Sequence, residues 1–451
     1  MQLRKIKLQN VKHFRDFELD LVDPRSDSPR QWTLVVGKNG RGKSTLLQAI
    51  ALATLGVNQA NSVGQSLLPA LWDARGGRQL FDVAIEAELE LPKVKRNSIR
   101  RTLPFRADTP IAPRLRSTLA LARGRNELTG AARWADLPDD AQTQDPLVEA
   151  RSLGLPWWFV AGYGTHRNLR ALDRAQRPTR PAEDRVAGLF RPHDLIGLGF
   201  ADLIQELDSG RAGSKYKSLM HDALTRHDHL IPDLQSIELR GHGGLRTTAD
   251  LLERRRFEMR IGASTLMAPP TWLSHGYQAS IAWIADLIGQ YFLDVNGAVG
   301  TPPKTEHISG LVLIDELDLF LHPEWQAHLI DALSATFPNV QFIATTHSPI
   351  LVSGRKREEI VSLELNDDGD VERRPIEYDP RLLTPGELYR QVLGLHETPP
   401  GPIADVLDRY RVLARDPQRD DAEEAEVVRL REELKTAEVS PLAEIRPRRA
   451  Q

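Results

Sequence analysis

The stretch "VVGKNGRGKSTLLQAI", which opens at Val35, holds the densest cluster of residues suited to chemistry. Gly37, Gly42, Lys43 and Ser44 satisfy G-x-x-x-x-G-K-[ST], and Lys38, Asn39, Gly40, Arg41 and Thr45 complete the loop. Successive backbone N–H groups in such a turn, followed by a helix N-terminus, form a cradle for an anion. The spacing lets Lys43 reach the β- and γ-phosphates of a nucleoside triphosphate, with the Ser44 hydroxyl on Mg²⁺.

Two further segments supply the chemistry that a bound triphosphate needs. In "LVLIDE" four apolar residues end in Asp315 and Glu316, so both carboxylates leave a buried strand at its C-terminal edge. Ligands of open α/β sheets bind at that edge. Asp315 is expected to hold Mg²⁺ through water, and Glu316 to polarise an attacking water as general base. In "QFIATTHSP" another apolar strand delivers His347 to the same edge, where it could contact the γ-phosphate and sense hydrolysis. An acidic strand end or a lone histidine is often structural; beside the glycine loop the three segments read as one catalytic set of Lys43, Glu316 and His347. In "WLSHGYQASIAW", Leu273, Ser274 and Gly276 occupy an L-S-x-G pattern that opens a helix. Ser274 is equally a plausible N-cap of an ordinary core helix.

Positioning these residues requires alternating strands and helices. "LRKIKLQNVKHFRDFELDLV" alternates with period two and breaks at "NVKHFRD", which predicts a β-hairpin or two adjacent strands. "QWTLVVG" is a buried strand feeding the loop, and "KSTLLQAIALATL" follows with helical spacing. "FDVAIEAELEL", "STLALARG" and "LPWWFVAGYGTHR" read as strands, whereas "RTLPFRADTPIAPRLR" and "TGAARWADLPDDAQTQDP" read as loops. From Asp194 to His229 the pattern is helical, then strand-like in "LQSIELRG" and "RRFEMRIG". "SHGYQASIAWIADLIGQYF" is a strongly apolar helix, and "IVSLELNDDGDVERRPIEY" a hairpin with an Asp-Gly turn. After Pro380 the chain is helical and polar, with mixed charges at i,i+4 spacing.

Taken together, "LQNVKHFRDFELDL…GKNGRGKSTLL…LSHG…LIDELDLFLHP…TTHSP" resembles the ABC-type ATPase heads of the SMC, RecF and OLD-like group, over roughly residues 1–60 and 260–375. The resemblance implies an α/β P-loop NTPase of ABC-ATPase type, with a mixed sheet, an N-terminal antiparallel β-lobe, an inserted helical lobe and a C-terminal helical tail. It makes ATP the triphosphate. It also implies that Ser274 and Gly276 of one subunit face the γ-phosphate held by another, so that a homodimer sandwiches two ATPs. The "LHP" stretch stands in for the D-loop of that group and puts His322 and Pro323 near the dimer seam. "AGYGTHR" is expected to bring Tyr163 or Arg167 beside the nucleotide, where a Q-loop glutamine would otherwise act. Within the group the chain is most similar to the compact ATPases of antiphage systems of Septu or retron-associated type. Those hold a separate effector, typically an HNH nuclease, under the control of ATP state. A RecF-like DNA-binding ATPase of repair is the alternative.

Bulk properties set the limits on this reading. The 451 residues allow two or three structural units. The expected divisions are 1–60 with 260–378 for the ATPase core, 61–193 for a β-rich part with a basic insertion, 194–259 for a helical lobe, and 379–451 for a tail on which a partner docks. The formal net charge of −3 gives no global pull toward nucleic acid. Between Lys93 and Arg125, however, ten Lys or Arg meet one acid, Asp108. DNA or RNA contact would fall there, on Lys93, Lys95, Arg96, Arg100 and Arg101 and on Arg114, Arg116, Arg123 and Arg125. The chain has no cysteine, which excludes disulfides, thiol catalysis and Cys-ligated zinc. The opening residues lack the apolar core of a signal peptide and no apolar run is long enough to cross a bilayer, so a cytoplasmic protein without membrane partners is expected. The tail lacks the spaced acids of a nuclease domain, and no intrinsic nuclease is predicted.

Overall fold

The structure, a computed structural model, describes residues 1–65, 67–72, 81–91, 114–135, 145–153, 158–167, 182–191, 211–226, 230–239, 255–269, 272–296, 304–394, 402–416 and 419–437. The chain forms two compact units, Met1–Gly394 and Leu395–Gln451. The strands of the first unit are β1 (Gln2–Val11), β2 (Phe14–Asp20), β3 (Val22–Asp23), β4 (Ser28–Pro29), β5 (Trp32–Gly37), β6 (Val83–Glu90), β7 (Arg114–Leu121) and β8 (Thr129–Trp134). They continue as β9 (Val160–Tyr163), β10 (Leu234–Leu239), β11 (Arg255–Ile261), β12 (Ser264–Ala268), β13 (Ser309–Ile314), β14 (Asn339–Thr345), β15 (Ile360–Leu365) and β16 (Val371–Arg374).

The central sheet has the order β16-β15-β5-β14-β13-β9, with only the β15–β16 pair antiparallel. Its strands read as apolar runs because both faces are covered. Trp32, Leu34 and Val36 of β5 enter one core and Val35 enters the other; Val312 and Ile314 of β13 oppose Leu311 and Leu313 in the same way. On the second face lies helix α1 (Lys43–Leu55), buried on almost every side because an antiparallel sheet, β2-β1-β6-β7-β8, covers it from above. The two sheets are stitched at Gln341, whose side chain accepts from Leu3 N (2.6 Å) and donates to Leu3 O (2.9 Å) in a fully buried setting. The first face carries a helix, here α2 (His275–Asn296), whose Trp283 and Tyr291 pack on Tyr163 and Phe159.

Most elements lie where the sequence pattern puts them, and α1 matches to the residue. "TGAARW" does not. It is strand β8 rather than loop, paired antiparallel with β7. Its glycine and alanines give no alternating signal, and Gly130 is needed because a Cβ there would lie 2.0 Å from Thr118 O on the neighbouring strand. Within 194–259 the described residues form a helix, Arg211–Thr225, followed by β10 and β11 of a three-stranded sheet, β10-β11-β12, so this span is mixed rather than purely helical. Residues 194–210 and 92–113 lie outside the described residues, and with them Lys93, Lys95, Arg96, Arg100 and Arg101. The described residues of the second unit form a helical pair, Pro402–Arg415 and Asp421–Thr436, joined through Tyr410, Leu413, Val427 and Leu434. Among the described residues no helix is long and apolar enough to cross a membrane.

Candidate nucleotide-binding and catalytic site

Strand β5 ends at Gly37, and α1 starts at Lys43, so the glycine loop spans the C-terminal edge of the central sheet. Gly42 caps the helix with φ 81°, and a Cβ there would lie 2.7 Å from the Phe14 ring, so only glycine lets the turn close under the β1–β2 hairpin. The first turn of α1 contains no acid and no side-chain cap. Its free N–H groups and the positive end of the helix dipole are left for an anion. Lys43 Nζ donates to the carbonyls of Gly37 (2.9 Å) and Lys38 (3.1 Å), which pins it along the loop. Burial lowers the Lys43 pKa, against attraction from Asp315, Glu316 and Asp318.

The neighbouring strands complete the edge. Ser44 Oγ donates to Asp315 Oδ2 (2.7 Å), and Thr345 Oγ1 donates to Asp315 Oδ1 (2.5 Å) while accepting from Glu316 N (2.7 Å). Glu316 has φ 49°, a left-handed conformation that costs a non-glycine residue roughly 1 kcal/mol or more. Arg167, 3% exposed, holds the strained corner from behind: its Nη2 donates to Asp315 O (2.8 Å) and to Glu316 O. Burial pulls the Arg167 guanidinium down to about 10, opposed by the charges of Asp315, Asp318 and Glu316. Asp318 Oδ1 accepts from Thr346 Oγ1 (2.5 Å) and His347 N (3.3 Å), fixing the loop on which His347 sits. Burial and then the Lys43 charge lower the His347 pKa, which favours a neutral imidazole.

These groups line an open cleft of about 440 Å³ that contains Asn39, Gly40, Gly42, Lys43, Ser44, Thr45, Asp315, Glu316 and His347. Lys12, His13 and Phe14 line it too, and sequence reasoning missed them. Lys12 Nζ donates to Thr45 Oγ1 (3.3 Å), so the corner of the β1–β2 hairpin closes over the start of α1. The signal for it was the break in alternation at "NVKHFRD", where Asn10 and Lys12 both take positive φ. Ser44 and Asp315 form a hard-oxygen donor pair of the kind Mg²⁺ takes. Among the described residues no three His, Cys, Asp or Glu converge, so an ion there would complete its shell with phosphate oxygens and water.

Ser274, Gly276 and His322 are not in this cleft. They form a separate corner. A Cβ on Gly276 would lie 2.4 Å from Phe320 O, so the start of α2 presses directly on the 319–321 backbone. Ser274 is exposed, and His322 caps the helix Pro323–Thr336 by accepting from Glu324 N (3.3 Å). Trp272 and Phe320 are 75% and 61% exposed at the same corner. Tyr163 corrects its expected position beside the nucleotide. Its side chain turns into the core, where its hydroxyl donates to Asp286 Oδ2 of α2 (3.1 Å). Of the described basic residues, Arg114 pairs with Asp27 (3.0 Å), and Arg116, Arg123 and Arg125 are exposed.

An "AAA domain" family matches residues 5–129, and the family "AAA domain, putative AbiEii toxin, Type IV TA system" matches 269–353. Septu protein PtuA of Bacillus mycoides is 24% identical over 96% of this chain and 50% of its own length. Septu protein PtuA of Bacillus thuringiensis is 38% identical over 28% of this chain and 32% of its own. The retron Vc95 probable ATPase of Vibrio cholerae is 31% identical over 33% of this chain and 28% of its own. The chain thus carries matches to AAA-domain families in two separate parts and is homologous to Septu PtuA and to retron ATPases. It spans half or less of the length of these relatives. An SMC head solved with the C-winged helix domain of ScpA aligns with TM-score 0.51 and 13% identity, over 84% of this chain and 98% of that chain, which shows the shared fold. The mixed sheet with its antiparallel lobe is thus that of SMC-type heads.

Proposed function

We propose that this ATPase hydrolyses ATP to ADP and phosphate, and that an ATP-sandwiched head-to-head dimer acts as a switch on a separate effector, a nuclease, in antiphage defence. One observation carries the catalytic part: Ser44, Asp315, Thr345 and Glu316 are wired into one hydrogen-bonded chain facing Lys43 and His347. Lys43 and the first turn of α1 bind the β- and γ-phosphates. Ser44 and Asp315 would hold Mg²⁺, whose charge offsets that of the phosphates. Glu316 takes a proton from the attacking water, and the neutral His347 hydrogen-bonds the γ-phosphate. The switch is supported by the corner at Gly276, which lies outside its own cleft and where Ser274, Trp272 and Phe320 are exposed. The effector reading rests on the likeness to Septu PtuA and retron ATPases.

The test is Glu316→Gln. Turnover should fall ~100-fold or more while ATP binding persists and the dimer accumulates; Lys43→Ala should lose ATP binding and the dimer together. Normal hydrolysis by Glu316→Gln removes it as the general base. Isolation of the Glu316→Gln protein with ATP and Mg²⁺ from its own cells then reads the output. A second polypeptide in fixed ratio, lost in Lys43→Ala, supports the effector switch; a dimer carrying nucleic acid alone favours a RecF-like role in repair.

A further inference from the structure

A second hollow, of about 410 Å³, lies at the opposite edge of the central sheet and is lined by Arg30, Arg357, Glu358, Arg373, Pro375 and Ile376. Arg30 precedes β5, and Arg357 precedes the parallel strand β15, while Arg373 and Pro375 lie at the end of antiparallel β16. The length of β5 therefore separates this hollow from the glycine loop by about 20 Å.

The positive charge in this hollow exceeds the negative and is not closely paired. Neighbouring arginines are neutralised, Arg355 by Asp331 (2.7 Å), Arg381 by Asp379 (2.6 Å) and Arg374 by Glu364 (3.8 Å). Among the described residues, Arg30, Arg357 and Arg373 have no carboxylate within 4.0 Å. Arg30 donates one Nη to Asp20 O, and its Nε is buried with no hydrogen-bond partner. Burial, and next the charge of Arg373, lower the Arg30 pKa, with Asp20, Glu358 and Asp23 opposing. Three guanidiniums against one carboxylate form a set of forked donors matched to an oxyanion, and to phosphate in particular.

We propose that this hollow is a second phosphate-binding site, distinct from the ATP cleft, for a compact phosphorylated molecule such as a nucleoside monophosphate. Its phosphate is held by Arg30, Arg357 and Arg373, and its apolar or planar part lies on Pro375 and Ile376. A nucleic-acid strand fits less well. The hollow is bordered by carboxylates, with Glu358 in its lining, Asp20 and Asp23 near enough to act on Arg30, and Glu359 and Glu372 close to Arg357 and Arg373 in the chain. An extended polyanion would have to lay further phosphates over them.

The experiment uses the full chain with the glycine loop disabled by Lys43→Ala, and, as a second background, the wild-type chain saturated with a non-hydrolysable ATP analogue. Titration calorimetry with pyrophosphate and with adenosine monophosphate should show one site in both backgrounds. Arg373→Gln, at an exposed position, should leave the melting temperature and basal ATP turnover unchanged and weaken binding of both probes about tenfold or more. Absence of binding in both backgrounds overturns the proposal, as does binding that Arg373→Gln and Arg357→Gln leave intact. Tighter capture of a labelled single-stranded oligonucleotide, lost in the same variants, overturns the compact ligand. ATP turnover by the wild-type chain is scored separately, so failure here leaves the hydrolytic reading standing.

Discussion

The glycine-loop edge and the Ser274–Gly276 corner are built in opposite ways. At the edge a run of polar groups is tied together within the chain: Ser44 to Asp315, Asp315 to Thr345, Thr345 to the Glu316 backbone N–H, and the Glu316 carbonyl to Arg167. At the corner the backbone is fixed by contact of Gly276 with Phe320, yet Ser274, His275, Trp272 and Phe320 face outward. The first arrangement is preorganised for chemistry, since groups locked by their neighbours reorganise little when charge develops. The second leaves large aromatic surface in water, as binding surfaces do. The glycine-loop edge is thus held by bonds within one chain, while the corner combines a fixed backbone with exposed aromatic side chains.

The contrast can be broken most severely at Arg167. Arg167→Gln removes the support of the left-handed Glu316 and should lower kcat roughly 10–100-fold. KM for ATP should change little, because no phosphate contact is lost. An Arg167→Lys variant that keeps the charge yet leaves kcat low would sharpen the claim that the two-carbonyl fork matters; a rise in KM in step with the fall in kcat would show Arg167 acting on the nucleotide itself.

At the corner, Gly276→Ala must push α2 away from the Phe320 carbonyl, at a cost of about 1–3 kcal/mol in thermal or denaturant unfolding. Nucleotide affinity of the monomer should stay within about twofold, since the cleft does not include this residue. A large loss of affinity would mean that the two regions are coupled inside one chain.

Trp272→Ala should separate stability from association. An exposed side chain should cost less than about 0.5 kcal/mol of folding, while the ATP-dependent dimer, measured by light scattering, weakens about tenfold. An unchanged dimer would leave the exposed aromatics without this role.

The smallest effect concerns pH. The folded-state pKa of His347 lies below its unfolded value of 6.5, so the unfolded chain binds the extra proton first on acidification. Stability contributed by this residue is therefore present above pH ~6.5 and declines as pH falls below it. His347→Gln should flatten the melting-temperature profile in that window.

Much of the site was legible because its motifs are contiguous. "GKNGRGKST", "LIDE" and "TTHSP" each end a strand and begin a turn, so spacing alone fixes Lys43, Ser44, Asp315, Glu316 and His347 on one sheet edge. The apolar periodicity of α1, β5, β13 and β14 was equally plain, since each is buried on two sides. Local pattern failed at β8, where "TGAARW" has little strand character and pairing with β7 decides its conformation. It also could not place Lys12 and Phe14 over the loop, or Thr345 between two carboxylates, because those contacts join residues far apart in the chain. Nor could it separate Tyr163 from Arg167, four residues apart in one motif. One turns into the core toward Asp286 and the other buttresses the corner at Asp315 and Glu316. Sequence determined which groups could do the chemistry and which edge they would reach, because a strand followed by a turn has few alternatives. Tertiary packing decided which of them meet, because only the close stacking of sheet on helix on sheet sets side chains from distant segments within hydrogen-bonding distance.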